Sequence, residues 1–204
     1  HVPFGPGIDL MAELVHAVEH SVPAPSVMIL NFPSNPTALT CDLEFYREAV
    51  AFARKHEIFI LSDIAYAEIY FDRPPPSILE VEGAFDVAVE FSSLSKTYSM
   101  PGWRIGFAAG NRRLVTALTR IKSYLDYGAF TPIQVAATAA LNGPQDCVDE
   151  IRKVYRERRE VLVDGLTQAG WKVPSPAATM FCWVPLPERF RHMGSLAFSK
   201  MLPE

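Results

Sequence analysis

Four short apolar runs pace the first half of this chain. Each breaks off in polar residues, and that rhythm limits the possible folds more than any other feature. The runs are residues 27–30, 58–61, 87–91 and 104–109. Strands apolar at successive positions are buried on both faces, so runs of this kind separated by helices imply a largely parallel sheet covered on both sides. Leu43, Tyr46, Val50 and Ala53 recur at helical spacing and predict a helix over 42–56. Further helices are expected over 112–126, 132–141 and, long and charged, 145–169. Residues 171–184 read as two strand-like pieces interrupted by Pro174-Ser175-Pro176, the opening of a second, smaller α+β domain. The expected fold class is therefore α/β, a mostly parallel sheet flanked by helices. Residues 1–142 are assigned to part of a large domain, and 143–204 to a linking helix and the start of a small one.

With 204 residues the chain can hold one ordinary domain, or one domain and part of another. Its composition, 49% hydrophobic and 21% charged, suits a globular protein with a real core. A formal net charge of −4 gives no reason to expect nucleic acid or an acidic membrane as partner. No apolar run approaches the roughly 20 residues of a membrane helix, and the N-terminus lacks the form of a signal peptide. Cys41, Cys147 and Cys182 are far apart with no C-x-x-C pair, as expected of free thiols in a reducing cytoplasm. The chain begins at His1 and stops at Met201-Leu202-Pro203-Glu204, just after an apparent helix has begun, so a piece of a longer chain is expected.

Ligands of open α/β sheets sit beyond the carboxyl ends of the strands. Asn35, Asp63, Ser93 and Lys96 occupy such positions, so four groups from separate segments converge on one crevice. Taken alone, Lys96 is a solvated loop lysine, Asp63 a cap or turn former, and Asn35-Pro36-Thr37 a turn. The functional alternative is coherent. A lysine amine made nucleophilic by a neighbouring cation such as Arg104 can form a Schiff base with a carbonyl. A carboxylate at Asp63 can keep a pyridine-type nitrogen protonated. Tyr66 and Asn35 can donate to a phenolic oxygen of the same ring. Ser93, Ser95 and Arg104 combine hydroxyl donors with a permanently charged fork, a set suited to phosphate. Gly102 is expected to let the backbone come close there.

The motifs occur in a fixed order: Asn35-Pro36-Thr37, Asp63-x-x-Tyr66, Ser93-x-x-Lys96, then Gly102-Trp103-Arg104-Ile105-Gly106-Phe107. In this the chain resembles the class I/II aminotransferases, which share the aspartate-aminotransferase fold, and the resemblance covers essentially its whole length. It implies the fold-type-I transferase architecture and pyridoxal 5′-phosphate as cofactor, carried by Lys96, which also shuttles the proton. It further implies Asp63 on the ring nitrogen, Asn35 and Tyr66 on the phenolic oxygen, and Ser93 and Arg104 on the phosphate, with Ser95 beside them. Asn31-Phe32-Pro33-Ser34-Asn35-Pro36-Thr37-Ala38 and Ile121-Lys122-Ser123-Tyr124-Leu125-Asp126-Tyr127-Gly128 are similar to bacterial alanine aminotransferases that group with LL-diaminopimelate aminotransferases. Ala38 stands where many relatives have glycine.

The resemblance also implies a homodimer with the site at its interface, and the segment 128–132 approaching the neighbouring site. The family's phosphate loop, ring-stacking aromatic and carboxylate-binding arginine are expected outside this chain. The leading expectation is amino transfer between alanine and 2-oxoglutarate. Alternatives are an aspartate or LL-diaminopimelate aminotransferase, a lyase acting at the β-carbon, and the aminotransferase-like effector domain of a transcription regulator. His16 and His20 have a spacing that can bind zinc, but without further ligands they read as a helix face, and no metal is expected. The Arg/Glu-rich stretch 152–160 reads as an exposed helix with charges at i, i+4.

Overall fold

The computed structural model describes residues 2, 3, 5 and 7–202. His1 and Pro203-Glu204, on which the expectation of a longer parent chain partly drew, lie outside the described residues. Helix α1 (Leu10–Glu19) leads into strand β1 (Val27–Asn31). Helix α2 (Leu43–Lys55) follows, then β2 (Phe59–Asp63), the single turn α3 (Ala84–Val87), β3 (Ala88–Ser93) and the single turn α4 (Leu94–Thr97). Strand β4 (Gly106–Gly110) closes the sheet. Four helices follow: α5 (Arg112–Leu125), α6 (Thr131–Asn142), α7 (Asp146–Gln168) and, after an irregular stretch, α8 (Gly194–Met201).

The four strands lie in sequence order, with β1, β2 and β3 parallel and β4 antiparallel to β3. Period-2 alternation then assigns the faces. Met28, Leu30, Ile60, Ser62, Ala88 and Glu90 share one face, covered by Tyr46, Ala49, Val50 and Ala53 of α2. Helix α2 starts and stops where expected: the Asp42 side chain accepts from Phe45 N at 2.9 Å, and His56 ends the last turn. On the other face lie Asn31, Asp63 and Phe91. The expectation of cover on both sides fails on this face at β1, where Ile29 is 71% exposed.

Three other expectations are corrected. Strand β4 begins at Gly106 and not at Arg104, because Arg104 has φ 50° and ψ 52°, a left-handed conformation no strand accepts. Residues 171–184 form no strand; among the described residues their one β-type pairing is the bridge between Tyr70 and Ala178, and Pro174 and Pro176 have no N–H to give a ladder. The charged stretch of α7 is not uniformly solvated, since the Arg152 and Arg159 side chains are only 14% and 15% exposed.

Candidate active site

The parallel register places the polar residues side by side. Asn31 is the partner of Asp63 across β1–β2, and Asp63 that of Phe91 across β2–β3. Ser93, the last residue of β3, pairs with Gly106. A depression of about 350 Å³, lined by Ile29, Leu61, Asp63, Ala65, Phe91, Ser92 and Ser93, opens on this face at the strand ends.

Asp63 Oδ1 accepts from Ala65 N at 3.0 Å, which turns the chain out of β2 and orients the carboxylate. Its Oδ2 has no hydrogen-bond donor among the described residues. The amide of Asn31 bridges two site segments: Nδ2 donates to Asp63 O at 3.2 Å, and Oδ1 accepts from Asn35 N at 2.8 Å. Sequence reasoning missed Asn31, although an amide ending an apolar strand was a visible signal. Asn35 is exposed, and its Nδ2 lies 3.4 Å from the Tyr66 hydroxyl. Two donors thus converge on one point beside Asp63. Burial and the negative charge of Asp63 push the Tyr66 phenol above its ordinary value, against the opposing Asn35 contact, so it stays a donor at neutral pH. The Phe181 ring meets Tyr66 edge-on at 5.2 Å, a wall with no forewarning in the sequence.

Ser93 caps α4, its Oγ accepting from Ser95 N at 3.2 Å, while Thr97 Oγ1 donates to Ser93 O at 3.3 Å. Lys96 sits in this turn, half-buried and without an ion pair among the described residues. Ser95 is buried and Arg104 exposed, with Nη1 donating to Pro101 O at 3.2 Å. Leu94 N donates to Ile105 O at 3.2 Å and so holds the arginine segment against the lysine turn. Nothing within 4 Å crowds Gly102; the glycine that the chain itself requires is Gly106, where a Cβ would lie 2.4 Å from Ser92 O.

This arrangement has counterparts. The family model for class I and II aminotransferases matches residues 8–204. The chain belongs to the class I and II aminotransferases. That family depends on pyridoxal 5′-phosphate, and the donor set fits the group: paired donors from Asn35 and Tyr66, an open carboxylate oxygen on Asp63, hydroxyls and a guanidinium at the lysine turn. Identity is 63% over 192 residues with the AatC protein of Rhizobium meliloti, 94% of this chain and 47% of that one. With the glutamate-pyruvate aminotransferase AlaC of Escherichia coli it is 54% over 202 residues, 98% of this chain and 49% of that one. Among solved structures, apo-BacF from Bacillus subtilis superposes with a TM-score of 0.81 at 36% identity, over 88% of this chain and 48% of that one. An aminotransferase from Staphylococcus aureus also gives 0.81, at 34% identity, over 88% and 47% of the two chains. The chain spans about half the length of the curated relatives it matches.

Proposed function

We propose that the protein of which this chain is part transfers an amino group from alanine to 2-oxoglutarate, giving pyruvate and glutamate. The convergence of Asn35 Nδ2 and the Tyr66 hydroxyl beside the Asp63 carboxylate carries this reading of the site. The 54% identity to a glutamate-pyruvate aminotransferase favours alanine as the donor.

Pyridoxal 5′-phosphate, when bound, supplies an electron sink for the substrate α-carbon. The chain's own residues do the rest. Lys96 Nζ would carry the cofactor and, once the substrate's amino group has displaced it, the freed amine would move the proton at the α-carbon as general base and general acid. The Asp63 carboxylate holds a proton on the ring nitrogen. Asn35 and Tyr66 donate to the phenolic oxygen. Ser93 and Arg104 would hold the phosphate, with the buried Ser95, whose N–H donates to Ser93 Oγ, beside them. Lys96, Asp63 and Tyr66 are the catalytic residues of this reading.

The proposal extends to the assembly. Residues 1–142 form part of the large domain, and 143–204 the linking helix and the start of the small one. A homodimer in the cytoplasm is the working form, supported by the exposed apolar segment around Tyr124, Tyr127 and Phe130 and by three unpaired thiols. Among the described residues no helix is long and apolar enough to cross a membrane.

A panel of amino donors with 2-oxoglutarate, run on the intact enzyme, tests the substrate. The highest kcat/KM is expected for alanine. Preference for aspartate or LL-diaminopimelate would overturn the donor and keep the chemistry, and ammonia release from cysteine or serine without a keto acid would favour a lyase.

A further inference from the structure

Arg152 of α7 is gripped on three sides. Its Nε donates to Glu68 O at 3.1 Å, Nη2 to Glu68 Oε2 at 3.2 Å, and Nη1 to Asp149 Oδ1 at 2.6 Å. Its Cζ stands 3.9 Å above the centre of the Tyr70 ring. Fork and stacking face are both in use, a combination that lysine cannot reproduce. Two turns along the same stripe, Arg159 lies 4.3 Å over the Phe71 ring and donates to Pro176 O at 3.1 Å. Between them Tyr155 is close enough to act electrostatically on the Tyr66 hydroxyl.

What this stripe holds is the segment that leaves β2 through the site. Ala67 N donates to Ile64 O at 2.9 Å and Ile69 N to Tyr66 O at 3.0 Å, so Glu68 and Tyr70 are tied to Tyr66 by tight local turns. Asp149 and Glu68 are substantially exposed, so these ion pairs add little stability by themselves. Their contribution is geometric: the two bonds to Glu68 and the stacking on Tyr70 fix where residues 68–70 run relative to α7, and Asp149, on the same helix, holds the guanidinium in that orientation.

We infer that Arg152 is a positioning residue for Tyr66, fastening residues 68–70 to α7 so that the Tyr66 hydroxyl is held where it meets the cofactor's phenolic oxygen. This rests on the proposed role of Tyr66. Asn35, Asp63 and Tyr155 are the other polar groups facing that hydroxyl, and among the described residues none of them shares a hydrogen bond or ion pair with Arg152.

The pH titration of the visible absorption of the intact enzyme, loaded with pyridoxal 5′-phosphate, reads this contact directly. A donor to the ring oxygen favours its anionic form, so weakening the donor raises the midpoint. Tyr66→Phe is expected to raise it. Arg152→Met raises it in the same direction by about half a unit or more, and Arg152→Lys by less. Val148→Ala, buried in the same helix, lowers the unfolding temperature and leaves the midpoint where it was. A shift in Tyr66→Phe with a wild-type midpoint in Arg152→Met overturns the positioning role alone. If Arg152→Met does not fold, a wild-type midpoint in Arg152→Lys overturns it equally. No shift in Tyr66→Phe removes the assigned role of Tyr66 and the inference with it.

Discussion

Gly106 sits where the antiparallel strand crosses the end of β3, and a methyl group there would lie 2.4 Å from Ser92 O and 3.4 Å from Ser93 Cα. Those are backbone atoms of the turn that leads to Lys96, so they cannot step aside without moving the site. Gly106→Ala should therefore destabilise the intact enzyme by about 1–3 kcal/mol and weaken cofactor binding. Gly102→Ala, which meets nothing within 4 Å, should do neither. Denaturant unfolding and cofactor titration of the two variants check this, and equal losses in both would contradict it. Ala38, with φ 59°, occupies a left-handed position that glycine would take without strain. Arg104 adopts the same conformation at a cost of about 1–2 kcal/mol, tolerated where Leu94 and Ile105 tie the segment down.

Strands β2 and β3 have a second polar layer beneath the site face. Glu90 accepts from Ser77 Oγ at 2.7 Å and Ile78 N at 3.0 Å, and Ser62 is its partner across the ladder. The Tyr46 hydroxyl is close to both Cys41 and Ser62 yet outside hydrogen-bond geometry with either, and burial pushes the Cys41 thiol up to about 12. Burial also raises the Glu90 carboxyl above its ordinary 4.5, against the two bonds that favour its charge. An acid raised in the folded state gives stability that is whole below its unfolded value and lost as pH climbs through the folded one. The stability of Glu90→Gln relative to wild type should accordingly rise as pH increases from about 4.5, read as the difference in unfolding temperature. A difference constant with pH would contradict it. Elements governed by local signals were legible in advance: α2 by its apolar stripe, the three parallel strands by their apolar runs. Contacts that close over distance were not. Arg152 finds Glu68 84 residues away, and residues 171–184, β-like in composition, lack a partner strand beyond one bridge at Ala178.

On the scale of the molecule, the site face of the sheet is open at Ile29, and an apolar segment stands out at the C-terminal end of α5 and just beyond it. Tyr124, Tyr127 and Phe130 are 76%, 92% and 71% exposed, more aromatic surface in one stretch than an isolated surface usually carries. The proposed homodimer would bury that stretch against a second copy, so a dimer is expected in sedimentation of the intact enzyme, weakened by Tyr127→Lys together with Phe130→Lys; a fully active monomer would contradict it. The three strand-end segments were assigned to one site from their motifs, and the register brings Asn35, Asp63 and Tyr66 into one cluster with the Ser93–Lys96 turn beside it. The claim on which all the chemistry turns is that Lys96 carries the cofactor. Borohydride reduction of the loaded intact enzyme, followed by digestion and mass spectrometry, tests it most directly by making the bond permanent. The expected result is the reduced cofactor on the peptide containing Lys96 and on no other, with the label lost in Lys96→Ala. Label on a different lysine, or its persistence in Lys96→Ala, would contradict the account.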